Sequence, residues 1–286
     1  RKTGADLAAF LYHQHRVKLP WIHCSDADVV LPDRYFSAAG DFGREASRET
    51  AALIYPFRHV APEQGADDTV VRMSRLYEYS LRYYVAGLTY ARSPYAFHTI
   101  GSTMAVNAEH YASVRGFPRR EAGEDFYLLN KLAKVGSVHT LEETTQCGPI
   151  EIMARLSDRV PFGTGAAVGK MVGFRNPAEE FLLYQPAIFG LLKGWLDSLP
   201  IFWQKQSADL AKVLKPMALE ILVRPLQDAG ASEALEHSLP QSTDAKRFTR
   251  HMHTWFDAFR PLKFIHILRD HQFPSDSFGD LSGEVS

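Results

Sequence analysis

Up to about residue 175, short apolar runs alternate with segments of helical period; beyond it only the helical period continues. That switch constrains the fold more than any other feature of the sequence. Trp21-Ile22-His23-Cys24, Ala51 to Phe57, Phe97 to Val106, Ser137 to Leu141 and Thr145 to Met153 are compact apolar runs of the kind that make buried strands. Residues 4–15, with Leu7, Ala8, Leu11 and Tyr12 in helical register, predict a helix, as do Thr69 to Ala91 and Asn107 to Val114. Another opens at Pro32-Asp33 and passes through Tyr35 and Phe36. Gly123-Glu124-Asp125 starts a helix whose stripe is Phe126, Leu129, Leu132 and Ala133, and Gly136 stops it. The alternation predicts a layered α/β domain over residues 1–175, with 176–286 as a helical C-terminal extension. The last dozen residues are polar, carry Gly279 and Gly283, and read as a frayed tail.

Several classes of function are excluded by charge and composition. The 32 basic and 33 acidic side chains nearly cancel and form no basic run, so no nucleic-acid partner is expected. Cys24 and Cys147 are the two cysteines, with no CxxC pair, which argues against a disulfide scaffold or a structural zinc and fits a reducing, cytoplasmic setting. The most apolar stretch, Phe181 to Trp203, is interrupted by Pro186, Lys193, Asp197 and Pro200, whereas a bilayer crossing needs about 20 apolar residues in a row. It predicts a buried helical pair, a peripheral membrane contact being the alternative. Trp195, Phe202 and Trp203 belong to that core rather than to a sugar-stacking platform, and His251, His253, His266 and His271 have no metal-site spacing.

Two acidic groups carry the chemistry. Ser25-Asp26-Ala27-Asp28 follows a buried strand, which is where open α/β sheets bind ligands. Hard cations such as Mg²⁺ or Mn²⁺ are commonly held by one or two carboxylates together with substrate phosphates. Turn aspartates capping the next helix give the same pattern. Asp125 lies in the first turn of its helix on the face of Leu128, Leu129 and Leu132. There an ionised carboxylate is favoured by the helix dipole and can serve as a general base, or can simply stabilise the helix start along with Glu124. A third segment, Arg155 to Gly165, sets Arg155 and Arg159 before a glycine-rich turn; the two guanidiniums would grip a diphosphate, or remain solvated on a surface loop.

In this order the motifs resemble a family 2 glycosyltransferase of the GT-A fold. They are Arg1-Lys2-Thr3-Gly4-Ala5-Asp6 before a helix, Trp21 to Asp28 as strand plus DxD, Gly101-Ser102-Thr103-Met104-Ala105-Val106, and Val114-Arg115-Gly116-Phe117-Pro118 followed by Gly123-Glu124-Asp125. The resemblance covers about residues 1–140. It implies a GT-A-like mixed sheet flanked by helices and an inverting, metal-dependent transfer from a nucleotide-sugar donor to a saccharide or other acceptor hydroxyl. Asp28 would ligate Mg²⁺ or Mn²⁺, and Asp26 would contact the ribose or the metal through water. Asp125 would deprotonate the acceptor with Glu124 orienting it, while Arg1 and Lys2 would lie near the nucleotide or its phosphates. The family also has an acidic residue on an earlier strand that grips the base; here base recognition is expected either outside this chain or built differently. Some relatives place a histidine on the metal; no histidine occurs between His139 and His237, so phosphates and water would complete the set, and His139 is expected to be buried within its strand. A nucleotidyltransferase and a non-catalytic sugar-binding or scaffolding member of the same fold stay open as alternatives. The oligomeric state is left open.

Overall fold

Strands of two to five residues make two small sheets in the first half of the chain. The computed structural model describes residues 1–42, 48–65, 67–120, 123–142, 147–157 and 163–279. Its strands there are β1 (Trp21–Cys24), β2 (Val29–Val30), β3 (Thr50–Ile54), β4 (Phe57–Val60), β5 (Met104–Asn107), β6 (Ser137–Thr140) and β7 (Ile150–Met153). One sheet has the order β1-β5-β3-β6 and the other β2-β7-β4. Both are mixed: β5 runs antiparallel to β1 and β3, β6 parallel to β3, β7 antiparallel to β2 and parallel to β4. The chain is therefore a mixed α/β protein.

Pro56 explains why the apolar run Ala51 to Phe57 is two strands rather than one. Proline has no N–H to give to a ladder, and the run passes from β3 in one sheet to β4 in the other across Tyr55-Pro56. Of the run Phe97 to Val106, only its end is strand, in β5. Residues 145–146 of the expected strand Thr145 to Met153 lie outside the described residues, and its end supplies β7.

Around these sheets lie α1 (Lys2–His13), α2 (Tyr35–Asp41), α3 (Asp68–Tyr90), α4 (Ala108–Ser113), α5 (Glu124–Leu132) and α6 (Thr164–Met171). Alternate residues of a strand face opposite ways. Leu53 and Ala105 pack with Trp21, Tyr55 and the α2 residues Tyr35 and Ala38. Ala52, Ile54, Met104 and Val106 point to the other face and are equally buried. The buried leucines 128, 129 and 132 of α5 pack on β3 and β6, so both faces of the central strands are covered. Each fully buried side chain of this size contributes about 1.5–3 kcal/mol. By contrast β6 is an edge strand, and His139 is exposed on it against Phe42, not buried as the sequence suggests.

By its contacts the chain divides into two units. Arg1–Arg82 and Phe97–Phe174 form the first; Tyr83–Ala96 and the chain from Arg175 onward form the second. The second thus draws in the end of α3 and the turns up to Ala96, a segment that periodicity alone does not assign to it. It contains α7 (Pro177–Glu180), α8 (Pro186–Lys205), α9 (Leu210–Leu214), α10 (Val223–Asp228), α11 (Ala231–Gln241), α12 (Ala245–Trp255) and α13 (Phe259–His271). Trp195, Phe202, Phe248, Phe256 and Phe264 are its largest fully buried side chains. Phe181 to Trp203 is not a helical pair: Pro186 starts α8, where its missing N–H costs nothing, and the helix continues through Pro200. Within the last dozen residues β9 (Asp276–Ser277) pairs with β8 (Leu182–Leu183) rather than fraying, and 280–286 lie outside the described residues. Among the described residues no helix is long and apolar enough to cross a membrane.

Candidate active site

Three backbone features bring distant acidic residues to one place in the first unit. β1 ends at Cys24, and Asp26-Ala27-Asp28 turn the chain into β2. α1 packs against β1 and α4, and Arg1 sits at its start. α5 opens from Gly123, whose left-handed φ of 71° favours glycine, and carries Glu124 and Asp125 in its first turn.

At the centre is the Arg1 guanidinium. Its Nη2 donates to Asp26 Oδ1 and its Nη1 to Glu124 Oε1, each at 2.6 Å. Burial works against the Arg1 charge, but Asp26 and Glu124 more than offset it, and its pKa moves up. Gly101 makes room for this arrangement. A Cβ there would lie 2.2 Å from Arg1 Nη1 and 3.0 Å from Asp125 Oδ2. No sequence motif singles out Gly101 by itself, although a glycine just before a buried strand is a signal of close backbone approach.

Asp125 is half-buried, and burial is the chief reason its pKa rises. The Phe126 N–H, which donates to Oδ1 at 2.7 Å, lowers it; Glu124 raises it; Arg1 and the Gly101 N–H lower it. The balance is upward, which strengthens the carboxylate as a proton acceptor. Beneath the cluster the buried Cys24 thiol is pushed up to about 11 by desolvation, so it stays protonated. His23, one residue earlier, is packed against Tyr35, Phe36 and Tyr55, and burial lowers it to about 4.

The chain matches no family model, no curated protein and no solved structure. The geometry of the site therefore carries the functional reading.

Asp28 is held by Arg155 rather than by Arg1. The register of β2 on β7, Val29 opposite Ile152, runs the chain beyond β7 back alongside the Asp26-Ala27-Asp28 turn, which brings Arg155 to Asp28. Lys2 faces elsewhere: its Nζ lies 3.1 Å from Asp6 Oδ2 along α1, and Asp6 also accepts from the Tyr111 hydroxyl at 2.7 Å. Arg159 lies outside the described residues. So Arg1, Asp26, Glu124 and Asp125 come together, Asp28 and Arg155 form a second pair, and Lys2 stands apart.

Would this set accept a hard cation? Among the described residues no three His, Cys, Asp or Glu side chains converge on a common point. Asp26 and Asp28 are two partly exposed carboxylates on one turn, and a hard cation there would need phosphates or water to complete its ligands. Each already carries a positive group, Arg1 on Asp26 and Arg155 on Asp28, with which a cation would have to compete. Asp26, Glu124 and Asp125 against one guanidinium leave their cluster net negative, which favours a further cation.

Proposed function

We propose that this chain is a metal-dependent, inverting glycosyltransferase of the family 2 type, acting on a nucleotide-diphosphate sugar and an acceptor hydroxyl. The observation that carries the reading is the bridging of Asp26 and Glu124 by Arg1, which sets Asp125 beside the Asp26-Ala27-Asp28 turn. The residues assigned here as acceptor base and cation-binding turn, distant in sequence, are linked through that one guanidinium.

On this reading Asp125 takes the proton of the acceptor hydroxyl as its oxygen bonds to the anomeric carbon. The bond from that carbon to the diphosphate breaks, and attack on the opposite face inverts the centre. Glu124, held by Arg1, orients the acceptor. Asp26 and Asp28 would hold Mg²⁺ or Mn²⁺, which when bound neutralises charge on the leaving diphosphate. Arg155 would grip a phosphate oxygen.

A panel of UDP-, GDP- and TDP-sugars with Mn²⁺ tests the reading, because a ligand that binds the native state raises its melting temperature. At least one should stabilise the protein. Asp28→Ala should remove that stabilisation. Asp125→Asn should keep it and cut transfer by about 10²-fold or more, the usual contribution of a general base. Full turnover in Asp125→Asn would refute the base assignment. Sugar binding without turnover in the wild type would favour the non-catalytic sugar-binding alternative.

A further inference from the structure

The two aspartates of the turn are held unequally. Asp26 shares Arg1 with Glu124, and the Arg1 side chain is only 25% exposed. Asp28 has Arg155, in a pair whose side chains are 58% and 43% exposed. Exposed pairs of this kind are weak because water screens them and two long side chains must be fixed. The partner of Asp28 is thus the replaceable one. Any cation that takes Asp28 leaves Arg155 without its carboxylate, at the mouth of the same turn.

We propose that Arg155 is the resident counter-ion of Asp28, and that its exchange for a divalent cation is favoured by an anionic phosphate group that receives the guanidinium. The proposal rests on the metal-dependent reading above and adds a coupling to it. The carboxylate gives up one positive partner for another, and Arg155 trades a carboxylate for a phosphate, so charge stays matched throughout. Cation and phosphate then bind cooperatively. By linkage, each raises the affinity of the other by the same factor. A cation alone competes with Arg155, and a phosphate alone competes with Asp28.

The test is titration of Mn²⁺ by calorimetry, alone and at saturating inorganic pyrophosphate, with the metal–pyrophosphate equilibrium subtracted. Arg155→Ala should bind Mn²⁺ alone more tightly than the wild type, by up to about fivefold, the ceiling set by an exposed ion pair. It should also lose most of the gain that pyrophosphate gives the wild type. Arg155→Lys, which keeps the charge, should compete with Mn²⁺ much as arginine does. Arg58→Ala, which removes another exposed arginine paired to Glu151 on the neighbouring strand, should leave Mn²⁺ affinity unchanged. Unchanged or weaker Mn²⁺ binding in Arg155→Ala overturns the exchange. An equal gain in Arg58→Ala also overturns it, because the effect would then be one of overall charge. Asp28→Asn separates the two levels: if it binds Mn²⁺ as the wild type does, or if the wild type binds none even at saturating pyrophosphate, the metal reading itself falls.

Discussion

Gly101→Ala tests the geometry of the site most directly. The added methyl would lie 2.2 Å from Arg1 Nη1 and 2.8 Å from its Cζ, distances at which something has to move. The guanidinium is the far end of a long side chain, so it is the group that yields. In yielding it gives up the 2.6 Å contacts to Asp26 and Glu124. Hydrogen bonds to charged groups are worth about 1.5–3 kcal/mol when buried. With Arg1 and Glu124 about a quarter exposed and Asp26 at 41%, about 0.5–1 kcal/mol each is the better figure. The loss is then about 1–2 kcal/mol, equivalent to a fall of about 2–8 °C in melting temperature. The decisive comparison is the same substitution in an Arg1→Ala background. With the guanidinium gone only Asp125 Oδ2, 3.0 Å away, still crowds the methyl, and the cost of Gly101→Ala should fall by at least half. Urea denaturation of the four proteins gives the coupling. An equal cost in both backgrounds would falsify the claim that Gly101 exists to admit Arg1.

Two further outcomes concern stability. Burial lowers His23 to about 4 from an ordinary 6.5, so the native state binds fewer protons than the unfolded chain, and its contribution is full above 6.5 and lost as pH falls towards 4. His23→Gln should flatten the decline in melting temperature across that window, by an amount worth up to about 3 kcal/mol; an unchanged profile would reject the assignment. In the helical unit Trp195 is fully buried, and its indole N–H has no partner among the described residues. Trp195→Ala should cost about 3–5 kcal/mol in urea denaturation. Trp195→Phe should cost well under half of that, because it also removes an unsatisfied donor; similar losses in the two variants would contradict this.

How much of this was legible in the sequence varies from element to element. Trp21–Cys24 and the long helix Asp68–Tyr90 sit where the pattern put them, because a dense apolar run and a sustained helical period leave few alternatives. β2 has two residues, too few for any period, and exists only through its pairing with β7. The break at Pro56 was readable in principle, since the proline stands in plain view, yet apolar character on both sides masked it. Asp26, Glu124 and Asp125 could be named in advance as separate motifs. Their meeting on Arg1 could not, because it depends on how α1 and α5 are laid against the sheet. The engagement of Asp28 by Arg155 follows from strand register, a long-range property that no local window contains.

The passage from β3 to β4 across Tyr55-Pro56 has a counterpart. β6 lies beside β3 and β7 beside β4, so the chain makes the same crossing twice in the same direction. Leu141 N–H donates to the Ile54 carbonyl and Ile150 N–H to that of Pro56, so the second crossing is stitched to the first at both ends. One crossing is two residues long and has no slack, whereas the other spans residues 141–149. A residue inserted between Ile54 and Phe57 would throw one sheet out of step with the other, whereas the longer crossing is pinned by the buried Leu141 and Cys147. The short crossing is thus the joint that keeps the two sheets in step.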